Sequence, residues 1–170
     1  DPPNGRIERD AVTKEPSGTL RESASDLVEE HLPKHTAEEI ARGLRRSLSM
    51  ANAFGITSLY DASAGPDLLS VYQSLDSAGT LTARVFAALA TDPRAGPKQV
   101  DSLRAWRGRF PGTRYFSPRA AKIFADGVIE ARTAALLEPY LGGTDRGEPN
   151  LSHGAMLTIV AAIDAAGFQV

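Results

Sequence analysis

Apolar residues recur along most of this chain in two alternating rhythms. After Thr36 the positions Ala37, Ile40, Ala41, Leu44, Leu48 and Ala51 fall at helical spacing, which gathers them on one face. Thr36-Ala-Glu-Glu39 ahead of them fits a capping box, with Thr36 at the N-cap and Glu39 reaching back. Gly55 is a suitable terminator. Ile56-Thr-Ser-Leu-Tyr-Asp61 then supplies a run of strand formers. The same order of signals returns. Pro66-Asp67 opens a helix with Leu68, Val71, Tyr72 and Leu75 on one side, ended by Gly79, and Ala83–Leu89 is the next strand. Pro97 opens a helix with Val100, Leu103 and Trp106 inward, ended near Gly108, and a strand carrying Lys122 follows. Ser152 caps a last helix with Met156, Ile159, Val160 and Ile163 apolar, Gly167 ends it, and Phe168-Gln-Val170 starts a further strand.

Strict alternation of helix and strand with short links predicts an α/β fold of parallel strands joined by right-handed crossovers. A doubly wound sheet and part of a (β/α)8 barrel both fit this order. Residues 1–35 read differently. Arg6–Asp10 and Gly18–Glu22 form two short strands around Lys14-Glu-Pro-Ser-Gly18, and a short helix near Ser23–Glu30 precedes Pro33. The chain therefore divides into an irregular, hairpin-like segment over 1–35 and an α/β segment over 36–170. The link after the third strand, Asp126 to Leu151, is long and holds Gly142-Gly143 and Pro149. Long loops after strands put function at the strands' C-terminal ends.

Composition narrows the function classes. The chain has 170 residues, 42% hydrophobic and 24% charged, with a net charge of -2, which suits an ordinary globular core. Basic residues are scattered, and the tightest group, Arg42, Arg45 and Arg46, lies on a predicted helix as a solvated face. No nucleic-acid partner is expected from that distribution. No apolar run reaches membrane-spanning length, so no membrane partner is expected either. With no cysteine, disulfides and thiolate metal sites are excluded. The sequence assigns no compartment.

The candidate chemistry starts at Lys122. It sits among small and apolar residues in Arg119-Ala-Ala-Lys-Ile-Phe-Ala-Asp-Gly127, where an unpaired ammonium is costly to bury. It must reach solvent, find a carboxylate, or lose its charge; a neutral amine can take up CO2 as a carbamate able to bridge metals. Strand alternation puts Lys122, Phe124 and Asp126 on one face, and a lysine inside a barrel near the C-terminal end stands where catalytic groups stand. The competing reading is a lysine paired with a carboxylate or lying on an exposed edge. Asp126-Gly127 reads either as a substrate-side carboxylate or as a turn. Tyr60 and Asp61 end the first of these strands and could face a substrate, while Asp61 could equally cap the next turn. His31 and His35 have a helical metal spacing, but Pro33 between them breaks the helix. His153 stands alone after an N-cap, and no Gly-rich strand-to-helix turn marks a phosphate loop.

Five segments in order carry a resemblance: Asn4-Gly-Arg-Ile-Glu-Arg-Asp10, Glu15-Pro-Ser-Gly-Thr-Leu-Arg-Glu22, Asn52-Ala-Phe-Gly-Ile-Thr-Ser-Leu-Tyr-Asp61, Lys122-Ile-Phe-Ala-Asp-Gly127, and Arg132-Thr-Ala-Ala-Leu136 with Glu138-Pro-Tyr140. Together they resemble the middle of amidohydrolase family 3 proteins, in the branch of the N-substituted formamide deformylases. The resemblance spans nearly the whole chain. It implies a (β/α)8 barrel with Ile56–Asp61, Ala83–Leu89 and Ala120–Phe124 as strands two to four, and residues 1–35 near the barrel mouth. Lys122 would match the fourth-strand lysine, carboxylated to bridge two divalent metals, typically zinc. Those metals would activate a shared water against a small-molecule amide or formamide. Tyr60, Asp61, Asp126 and Arg132 are the substrate-side candidates, although the family often carries a histidine at the position of Tyr60.

The resemblance also implies what Asp1–Val170 does not hold. The first-strand His-x-His pair, the fifth- and sixth-strand histidines and the eighth-strand aspartate all fall outside it. The chain is thus expected to be an internal piece of the barrel, without a metal and inactive alone, and prone to self-association through exposed barrel edges. A non-catalytic α/β binding or regulatory module, with Lys122 as a paired structural residue, is the alternative.

Overall fold

The computed structural model describes residues 1–2 and 5–170; Pro3 and Asn4, the latter opening the first of the five segments, lie outside the described residues. The chain divides into two units. The larger comprises His35–Phe124 and His153–Val170, the smaller Asp1–Lys34 and Ala125–Ser152.

The larger unit is built on a parallel sheet of three strands, β3 (Ser58–Ala64), β4 (Arg84–Ala90) and β5 (Phe116–Lys122), in that spatial order. Helix α2 (Ala37–Ala53) precedes β3, α3 (Pro66–Ser77) links β3 to β4, α4 (Val100–Arg109) links β4 to β5, and α5 (His153–Ala165) comes last. The expected capping box is present: the Glu39 amide donates to Thr36 Oγ1 at 3.2 Å and the Thr36 amide donates to Glu39 Oε2 at 2.8 Å. Pro66 occupies the first turn of α3, where its missing N–H costs nothing. The core lies where helices cover β4 and β5. Leu69, Val71, Tyr72 and Leu75 of α3, Leu103 of α4, and Ile159 and Ile163 of α5 are buried with Val85, Ala87, Leu89 and Phe116. Tyr72 stacks on Phe116 at 5.5 Å. Strand β4 is apolar almost throughout, as a central parallel strand should be. The sheet continues past β5, because Ala120 bridges Gln169 in parallel. Arg107 of α4 closes that corner: it donates to the carbonyls of Ala166 at 2.9 Å and Gly167 at 3.1 Å, and its guanidinium lies 4.1 Å from the Phe168 ring.

Two strands differ from their predicted bounds. Strand β3 runs on to Ala64, beyond Asp61. Strand β5 begins at Phe116 and ends at Lys122, instead of covering Ala120–Phe124. Pro118 hid its first half, since proline usually argues against a central strand. Here Phe86 pairs with Ser117 and Ala88 with Ala120, so the register slips by one residue and the proline falls in the irregular stretch.

The smaller unit holds the expected hairpin, β1 (Gly5–Arg9) against β2 (Pro16–Glu22), antiparallel, followed by a single turn, α1 (Asp26–Glu29). Glu8 sits between Arg21 at 2.5 Å and Arg6 at 2.6 Å. The Arg21 hydrogen bond, with help from Arg6, holds its carboxyl below the usual range. Residues 125–152 group with this hairpin unit, which differs from the expected division into 1–35 and 36–170. The Thr133 hydroxyl donates to the Glu22 carboxylate at 2.5 Å. Within the loop, Leu136 N–H meets Arg146 O at 2.8 Å and Tyr140 N–H meets Asp145 O at 2.9 Å.

Candidate functional site

The C-terminal ends of the parallel strands set the site. Ala64 pairs with Leu89, Leu89 with Ala121, and Ala90 with Lys122. Lys122 is therefore the last residue of β5 and level with the last of β4. Its side chain is half-buried, and its Nζ lies 4.8 Å from the Phe124 ring centroid, a cation–π distance. Among the described residues no carboxylate lies within ion-pair distance of it. Strand β4 flanks β5 on one side, and on the other Gln169 bridges Ala120, two residues before Lys122. The paired-lysine expectation finds no carboxylate partner among the described residues, while β5 is the last strand of the three-stranded sheet.

The backbone at Lys122 is held more firmly than its side chain. Its carbonyl accepts from the Thr91 amide at 3.2 Å and from the Thr91 hydroxyl at 2.5 Å. Thr91 is the one buried polar or charged residue among those described, only 8% exposed. Sequence reading passed it over. Thr91-Asp92-Pro93 looks like an ordinary strand-to-turn exit, and no spacing signal marks a hydroxyl whose partner is another strand's carbonyl.

The substrate-side candidates fall into different settings. Tyr60 pairs with Phe86, four residues before Ala90, so it lies about 13 Å down the sheet from the level of Lys122. Its ring is 57% exposed and stacks on Phe86 at 5.5 Å. Asp61 points the other way, toward α3. Its Oδ2 accepts from the Tyr72 hydroxyl at 3.0 Å and its Oδ1 from the Ser63 amide at 3.2 Å. Burial first, and the Asp61 carboxylate second, push the Tyr72 phenol well above its ordinary value. Both residues thus stand inside β3 and not at its end, contrary to the sequence reading. The register slip between Asp61 and Ala64 follows directly after them.

Asp126 and Arg132 belong to the smaller unit. Strand alternation does not carry to Asp126, because β5 ends at Lys122. Asp126 Oδ2 accepts from the Ala135 amide at 2.9 Å, and its carbonyl accepts from Asn150 Nδ2 at 3.3 Å. Gly127 is required beside it: a Cβ there would come within 2.1 Å of Thr133 Oγ1. Arg132 has a left-handed backbone, φ 58°, donates to Leu141 O at 3.3 Å and lies 5.3 Å from the Tyr140 ring. Both residues organise their loop. His31, His35 and His153 are exposed. Among the described residues no three or more His, Asp or Glu side chains gather as a metal site. The donors among the described residues therefore do not by themselves make up a metal site.

The amidohydrolase family model matches residues 1–170. The chain belongs to the amidohydrolase family. Its fold is similar to that of an uncharacterized metal-dependent hydrolase from Pyrococcus furiosus, with a TM-score of 0.67 at 23% identity, over 85% of this chain and 30% of that one. It is also similar to an uncharacterized metal-dependent hydrolase from Pyrococcus horikoshii OT3, with a TM-score of 0.66 at 19% identity, over 95% of this chain and 33% of that one. This amidohydrolase chain thus spans about a third of the length of the solved structures it resembles. No curated protein matches it.

Proposed function

We propose that this chain forms roughly strands two to four, with their helices, of the eight-stranded barrel of a metal-dependent amidohydrolase. The complete enzyme hydrolyses an amide-type, non-peptide C–N bond, and N-substituted formamides are the substrate class to try first. The observation that supports this reading is the place of Lys122: the last residue of a parallel strand, half-buried, with no carboxylate within ion-pair distance among the described residues. C-terminal strand ends are where this architecture keeps its reactive groups. A binding module with Lys122 as a paired structural residue is less favoured, because among the described residues no carboxylate lies within ion-pair distance of Lys122.

In this proposal Lys122, once carboxylated, gives oxygen donors to divalent metal, with zinc the first choice. The remaining donors come from other strands of the complete barrel. The isolated 170-residue chain is then inactive and holds no stoichiometric metal. The test pairs two measurements. In the complete enzyme, Lys122→Ala should reduce formamide hydrolysis to background; retained turnover rejects the assignment of Lys122. In the isolated chain, elemental analysis after dialysis against zinc should find none bound, and one zinc per chain would contradict the partial-barrel reading.

A further inference from the structure

Thr91 is buried, and its hydroxyl is spent on the backbone of another strand. A buried hydroxyl must find a partner, and many could serve. This one meets the main-chain carbonyl of Lys122, which already accepts the Thr91 amide as the last rung between β4 and β5. Beyond this rung β5 ends and the chain leaves the sheet. A strand end with one ladder bond can fray; here two donors from one residue close on the same oxygen. Fixing that carbonyl fixes the peptide plane after Lys122, and with it the direction of the Lys122 Cα–Cβ bond. The neighbouring residues leave that direction to the backbone: Ala90 beside Lys122, and Ala88 and Ala120 before them, are small.

We propose that Thr91 is a positioning residue for Lys122, acting through its hydroxyl on the Lys122 carbonyl. This rests on the reading of Lys122 as essential to hydrolysis. A small angular error at the end of a long side chain becomes a large displacement at its reactive nitrogen, and misplacement of a reacting group by about 1 Å costs heavily in rate.

The experiment uses the complete enzyme and four variants, each assayed well below its own melting temperature. Thr91→Val keeps the shape and removes the hydroxyl; if it fails to fold, Thr91→Ala takes its place. Thr91→Ser keeps the hydroxyl. Val85→Ala, buried on the helix side of the same strand, weakens the sheet away from Lys122. Lys122→Ala tests the underlying assignment. The expected result is a fall in kcat of roughly tenfold or more for Thr91→Val, with KM unchanged, near-complete recovery in Thr91→Ser, and an unaltered kcat in Val85→Ala. Wild-type kcat in Thr91→Val, with Lys122→Ala inactive, overturns the role of Thr91 alone. Equal loss in Thr91→Val and Val85→Ala also overturns it, because Thr91 would then be one more stabilising contact. Full activity in Lys122→Ala, or no amide hydrolysis by the wild type, removes both this role and the reading on which it rests.

Discussion

At the level of single residues, the hydrogen bond from Tyr72 to Asp61 is the interaction with the clearest pH signature. Tyr72 is 6% exposed, and its phenol gains nothing from ionising beside a carboxylate. Its folded-state pKa is raised, so the folded protein keeps a proton that the unfolded chain gives up above about pH 10. Stability from this source is complete below that pH and falls as pH rises toward the raised folded value. Tyr72→Phe should flatten the alkaline decline in melting temperature, and should remove a late step from the alkaline ultraviolet titration of the wild type. A melting curve above pH 10 with the same slope in both proteins would contradict this. The same pair shows what was and was not legible. The pattern put Tyr72 on the buried face of α3 and marked Asp61 as a carboxylate of interest. It could not tell which side of the sheet Asp61 faces, because that depends on where β3 stops and the register slips. Lys122 was the reverse case: its oddity among apolar neighbours was visible at once, while the hydroxyl that holds its backbone was not.

At the level of elements, helices were easier to read than strands. Helix α2 starts where Thr36 and Glu39 said it would, since a capping box is a local device with a fixed spacing. The Thr36 amide, then its hydroxyl, holds the Glu39 carboxyl below its ordinary value. The contribution is present above the unfolded-state pKa of about 4.3 and is lost as pH falls through the lowered folded value. Thr36→Ala should cost the fold about 1 kcal/mol, and should bring the Glu39 titration, followed by carboxyl carbon shifts, back toward that of a free glutamate. An unchanged Glu39 midpoint in Thr36→Ala would mean that the box is not what lowers it. Strand β5 had no such local marker. Its first half carries Pro118, which is almost fully buried, and only the slipped pairing with β4 explains how a proline is accommodated there. The bounds of β3 were missed for a related reason: Ala62-Ser63-Ala64 has no strand-forming character of its own, and the ladder to Leu89 extends it.

At the level of the whole molecule, the grouping of residues 125–152 with the hairpin was not legible. The Thr133–Glu22 hydrogen bond joins positions 111 residues apart, and such contacts leave no periodic trace. The alternating α/β order of the larger unit was legible, because each helix and strand announces itself locally. That order also exposes a liability. Among the described residues β3 pairs only with β4, so its outer row of N–H and C=O groups has no ladder. Edge strands of this kind recruit other strands. Several apolar side chains of the same unit stay in solvent, including Phe54 at 82% and Tyr60 at 57% exposure. A second copy of the chain, presenting the same β3 edge, can satisfy both rows of backbone groups at once through a two-fold axis. We therefore expect the isolated chain to exceed its monomer mass of 18.1 kDa in light scattering as concentration rises. Ala62 is exposed on β3, and Ala62→Lys places a charge on each edge where the two would meet. That variant should return the mass toward the monomer without lowering the melting temperature. A wild-type chain that stays at 18.1 kDa across the same range would show that the β3 edge is already protected, the register slip after Asp61 being the feature able to turn it aside.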